Sequence, residues 1–84
     1  MSKIKKLIEK ILQGNSDKNI NFEDMRNLLL SFGFEERVKG SHHIYSKENI
    51  QEIINIQPTN ENTAKPYQVK QIRELIINNK LIQK

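Results

Sequence analysis

The chain predicts an α+β fold, a three-stranded antiparallel sheet with helices packed on one of its faces. Three observations carry that prediction. Apolar residues recur at helical spacing as far as Phe32, at a period of two between Phe34 and Gln57, and at helical spacing again after Pro66. Turn chemistry marks each change of period, at Gly33, Gly40-Ser41 and Pro58. With 84 residues, 36% of them apolar and 6% aromatic, the chain has material for one thin core and no second one. Residues 1–84 are therefore expected to form a single domain, with its core over about 20–80 and an extra N-terminal helix over about 3–13.

The elements follow in order. Ile4, Leu7, Ile8 and Ile11 form one stripe, with Lys3, Lys5, Lys6, Glu9 and Lys10 opposite, which is an amphipathic helix ending near Gly14. Residues 14–19 (GNSDKN) are loop chemistry. Asn21 suits an N-cap, and Glu23 and Asp24 in the next turn favour the positive end of the helix dipole. Met25, Leu28, Leu29 and Phe32 give this second helix its apolar face, and Gly33 is its natural stop.

Phe34 and Val38 then alternate with Glu35, Arg37 and Lys39 in a first strand. Lys39-Gly40-Ser41 makes a hairpin turn, and residues 42–46 a second strand. Lys47-Glu48-Asn49 turns again, and isoleucine-rich residues 50–57 form a third strand stopped by Pro58. Residues 58–64 are a polar loop. Pro66 fits the first position of a last helix, buried through Val69, Ile72, Leu75 and Ile76 and ending near Asn78-Asn79, with Leu81-Ile82 folding back.

Composition narrows the function classes. Without cysteine there is neither a disulfide framework nor a thiolate metal site. Zinc would have to rely on two adjacent histidines and carboxylates, and neighbours on a strand point to opposite faces, so no metal and no cofactor is expected. No apolar run approaches the roughly 18 residues of a membrane span, and no leader pattern opens the chain, so a soluble cytoplasmic protein with no membrane partner is expected. The net charge of +4, from 14 basic against 10 acidic residues, suits a nucleic-acid partner and equally a mildly basic solvated surface.

The chemistry concentrates in Gly40-Ser41-His42-His43-Ile44-Tyr45, which holds the only two histidines. Histidine can take and give a proton near neutral pH, and one beside a tight turn in a basic domain suggests acid–base chemistry on an anionic substrate. Arg37 and Lys39, one strand back, would hold a phosphate, and the backbone N–H groups around Gly40-Ser41 would line the same anion. Strand alternation leaves a choice open. If Ile44 faces the helices, His42 points inward and His43 outward, unless a bulge at the Gly-Ser turn frees His42. Tyr45 would either stack on a base or pack in the core. Lys65, Lys70 and Arg73 near the start of the last helix would meet phosphate or form a solvated face.

The α-β-β-β-α order from Asn21 to Asn79 is similar to that of double-stranded-RNA-binding domains, which read RNA shape and backbone. Residues 28–34 (LLLSFGF), then Arg37-Val38-Lys39-Gly40-Ser41-His42-His43-Ile44-Tyr45, resemble the HicA family of bacterial toxins. There a leucine-rich helix ends at a Leu/Phe-Gly-Phe step, and a basic strand precedes a Gly-Ser-His motif. Residues 55–58 (NIQP) and 64–73 (AKPYQVKQIR) look like that family's third strand and last helix. The resemblance covers roughly residues 20–80; residues 3–13 lie outside it.

The resemblance implies a metal-independent endoribonuclease that cleaves messenger RNA, blocks translation and is neutralised by a HicB-type antitoxin. It places the acid–base role on His42, with His43 as the alternative, and Arg37, Lys39, Gly40, Ser41 and Tyr45 against the RNA. The antitoxin would cover the hairpin turn and the open sheet face. The residues alone also admit a non-catalytic RNA-binding module of the same fold, or a protein-interaction subunit.

Overall fold

In a computed structural model, which describes residues 3–81, three helices lie on one face of a three-stranded antiparallel sheet. Helix α1 (Lys3–Gln13) buries Leu7, Ile8 and Ile11, the stripe its spacing predicts. A single 3₁₀ turn (Asp17–Asn19) leads to helix α2 (Phe22–Ser31). Asn21 caps α2 through Oδ1, which accepts from the Asp24 N–H at 3.0 Å. Its other end is a Schellman arrangement: Gly33 N–H donates to the Leu30 carbonyl at 3.0 Å and Phe34 N–H to that of Leu29 at 3.2 Å. Gly33 supplies the left-handed backbone this requires, at φ 92°.

Strands β1 (Glu35–Lys39), β2 (His42–Lys47) and β3 (Ile50–Ile56) follow in spatial order β1-β2-β3. The first hairpin is regular to its tip, with Lys39 opposite His42 and Val38 opposite His43. Only Gly40 and Ser41 lie between, and the positive φ falls on Gly40 alone (62°), the pattern of a type II′ turn. A Cβ at Gly40 would meet no atom within 4 Å, so backbone conformation rather than space favours glycine there. The irregularity in the sheet lies instead between Tyr45 and Lys47, where β2 slips against β3.

Helix α3 (Pro66–Asn79) opens on Pro66, and Gln68 Oε1 accepts from the Lys65 N–H at 3.2 Å. It buries Val69, Ile72, Leu75 and Ile76. Leu81 turns back and packs against the core, its N–H donating to the Ile76 carbonyl at 3.0 Å; Ile82 lies outside the described residues. One contiguous apolar cluster joins all three helices to Tyr45, Ile54 and Ile56 of the sheet. No helix among the described residues is long and apolar enough to cross a membrane.

Helix α1 is part of this core. Arg73 on α3 donates from Nη1 to the carbonyl of Ile11, at the end of α1, at 3.0 Å. The same guanidinium meets Asp17 in a bidentate pair with both contacts at 3.0 Å. Arg73 is thereby spent on holding α1, the 3₁₀ turn and α3 together.

Candidate active site on the open sheet face

The pairing register decides which histidine faces where. Cross-strand partners share a face, so Glu36 and Tyr45, Val38 and His43, and Tyr45 and Ile54 point towards the helices. Arg37, Ile44 and Asn55 point away from them, as do Lys39 and His42. The premise that Ile44 faces the helices is therefore corrected. Tyr45, fully buried, is the inward residue, and His42 reaches the open face in a regular strand without any bulge at the turn.

His42 is exposed, and its Nδ1 stands 3.2 Å from Oδ1 of Asn55 on β3. An amide oxygen only accepts, so this contact requires a hydrogen on Nδ1, and Nε2 makes no hydrogen bond among the described residues. Arg37 and Lys39 share the open face, both exposed, and neither forms an ion pair among the described residues. Ser41 Oγ accepts from Gln57 Nε2 at 3.0 Å, while Gln57 Oε1 accepts from Lys65 Nζ at 3.5 Å. A groove of about 240 Å³ runs from His42 past Ile53, Asn55 and Gln57 to Tyr67, Gln68 and Gln71 on α3.

His43 is held quite differently. Its ring meets Phe22 edge-on with centroids 5.0 Å apart, and Nδ1 lies 3.3 Å from Oε2 of Glu36. Glu36 is the hub of an inner-face network. Arg26 grips it with both Nε and Nη2, at 2.8 and 2.9 Å, and the Tyr45 hydroxyl donates to it as well. The Arg26 hydrogen bonds, aided by those from Tyr45 and His43, hold the Glu36 carboxyl down at about 2 against an ordinary 4.5. Burial, then the hydrogen bond to Glu36, pushes the Tyr45 hydroxyl up, so it stays a donor.

Tyr45 is accordingly removed from the RNA-facing set: a ring with no exposure cannot stack on a base. Arg73 leaves the candidate phosphate ligands because Asp17 and the Ile11 carbonyl occupy it. Lys65 lies beside the groove through Gln57, and Lys70 is exposed on α3. Two residues join the site that local patterns did not indicate, Asn55 and Tyr67. The first is reached only by carrying the register across the β2–β3 turn and the irregularity beside it, the second only by the packing of α3 against β3. Among the described residues no three His, Asp or Glu side chains cluster in a way that would hold a metal ion.

Residues 22–77, more than half the chain, match a family model described as HicA toxin of bacterial toxin-antitoxin. No curated protein and no solved structure matches the chain.

Proposed function

This chain belongs to the HicA toxin family of bacterial toxin–antitoxin systems, and we propose that it acts as an endoribonuclease on messenger RNA, with His42 as its acid–base group. Membership in a toxin–antitoxin family implies an antitoxin partner, which the resemblance identifies as HicB-type. The observation that supports the catalytic reading is the setting of His42. It stands exposed, anchored through Nδ1 by Asn55, with Nε2 unoccupied and the cations Arg37 and Lys39 on the same face.

RNA carries its own nucleophile. His42 Nε2 takes the proton of the 2′-OH, the 2′-oxygen attacks the adjacent phosphorus, and the P–O5′ bond breaks. A proton from the imidazolium or from water completes the departing 5′-hydroxyl, leaving a 2′,3′-cyclic phosphate on the other fragment. Arg37 and Lys39 neutralise the non-bridging oxygens as charge builds on them. Gly40 and Ser41 hold the turn that keeps this edge open.

RNA carrying one 2′-deoxy sugar at the scissile position tests the reading. The deoxy RNA should resist cleavage, the normal RNA should end in a 2′,3′-cyclic phosphate, and excess EDTA should leave the rate unchanged. Cleavage of the deoxy substrate, or loss of activity on chelation, would assign attack to a metal-bound water and remove His42 from this role.

A further inference from the structure

We propose that the groove between the open sheet face and the first turn of α3 binds one unpaired nucleobase of the RNA, with Tyr67 as its stacking platform. The inference rests on the RNA-cleavage reading and adds to it a substrate class, single-stranded RNA, and a base-binding subsite.

Three observations carry it. The groove has His42 in its wall, so a nucleotide whose sugar and phosphate reach Nε2 has this groove beside it for its base. Its lining is uncharged: Ile53, Asn55, Gln57, Tyr67, Gln68 and Gln71 accompany His42, while the cations stand at its margins, Lys39 opposite His42 on β1 and Lys65 on Gln57. A phosphate would seek the cations, while a neutral heteroaromatic ring suits an apolar and amide surface. Finally, Tyr67 and Ile53 leave their apolar faces in water, at 65% and 62% exposure, on two different elements that converge on one groove.

The amides are arranged as a reader requires. Gln57 is held at both ends, by Ser41 and Lys65. Gln68, itself buried, donates from Nε2 to the Tyr67 hydroxyl at 3.5 Å, which steadies the ring. Asn55 gives its oxygen to His42 and keeps its N–H₂ donors. Gln71 is exposed and makes no side-chain hydrogen bond among the described residues, so both its donor and its acceptor remain for a base edge. A paired base presents neither a free face nor a free Watson–Crick edge, which selects single strands.

Binding of a short single-stranded 2′-O-methyl oligoribonucleotide, which cannot be cleaved, tests this on the whole protein. Of the two tyrosines only Tyr67 is exposed, so stacking should quench tyrosine fluorescence on titration. Tyr67→Ala should weaken binding about tenfold and Tyr67→Phe should retain affinity, since stacking on an aromatic is worth about 1–3 kcal/mol per base. One abasic nucleotide, scanned along the strand, should reproduce that loss in the wild type and add little to it in Tyr67→Ala. Unchanged affinity in Tyr67→Ala, with RNA cleavage intact, overturns the groove assignment and leaves the catalytic reading standing. So does unchanged RNA affinity with weakened antitoxin capture, which gives the groove to the protein partner. Quenching and affinity that depend on Tyr67 in a protein that cuts no RNA would overturn the catalytic reading instead.

Discussion

The two faces of strand β2 carry the same residue type side by side and put it to opposite use. On the inner face His43 packs edge-on against Phe22 and gives its one polar contact to Glu36, inside a network that also joins Arg26 and Tyr45. On the outer face His42 has, among the described residues, a single hydrogen-bond partner, Asn55, which engages Nδ1 alone. The inner network is closed, since each member finds its partners in the fold, and closed polar networks contribute stability and a unique packing. The outer one ends in solvent beside Arg37 and Lys39, which form no ion pair among the described residues, and it is this surface that we propose receives the RNA phosphate. A histidine's role is thus read from what remains unsatisfied around it.

The sharpest way to break this comparison is to exchange the two. His42→Ala should lower RNA cleavage by 10²–10⁴, equivalent to about 3–5 kcal/mol of barrier, while the thermal midpoint stays near that of the wild type. His43→Ala should leave kcat within about twofold and lower stability by about 2 kcal/mol, because it opens a gap against Phe22. Activity lost with His43→Ala and kept with His42→Ala would reverse the assignment of the two faces.

A smaller effect sharpens the inner half. Glu36→Gln should cost about 1–3 kcal/mol, seen as a lower midpoint in denaturant, by removing the carboxylate that Arg26 grips. Its pH dependence has a definite sign. The folded state holds Glu36 at about 2 against 4.5 ordinarily, so this stabilisation is fully present above pH 4.5 and is lost as pH falls from there towards 2. The wild type should lose stability across that window, and Glu36→Gln should lose less of it.

The smallest effect belongs to the outer half. Asn55→Ala should reduce kcat about tenfold with little change in KM, because the imidazole loses the contact that sets its tautomer and orientation. Asn55→Asp places a carboxylate beside the ring, favours the imidazolium and should shift the acidic limb of the pH–rate profile upward. A residue that only filled space would leave that profile unmoved.

The elements themselves were legible because local chemistry dictates them. Asn21, Gly33, Gly40 and Pro66 each act on the backbone within a turn, so the second helix, the hairpin and the last helix begin and end where those residues place them. The facing of β2 was not legible. His42-Ile44 and His43-Tyr45 each pair a histidine with an apolar residue, so alternation fits either face. What settles it is Arg26, ten residues before Glu36, which demands a partner on the helix side. Val38 shows the same limit: it has the inward parity yet is 55% exposed, because parity states a direction and not whether anything covers it. Asn55, Tyr67 and the pairing of Arg73 with Asp17 depend on tertiary contacts that no local pattern reports.

The clasp of Arg73 on the end of α1 has a kinetic meaning. It joins positions 62 residues apart, whereas the His42 hairpin pairs residues separated by a two-residue loop. Closing the short loop loses far less chain entropy, so the hairpin can form early and the meeting of α1 with α3 comes late. During synthesis the segment bearing Tyr67 and Arg73 also leaves the ribosome after the strands have done so. His42 therefore gains its strand before it gains the full groove beside it, and the site proposed here is complete only once the last helix has docked.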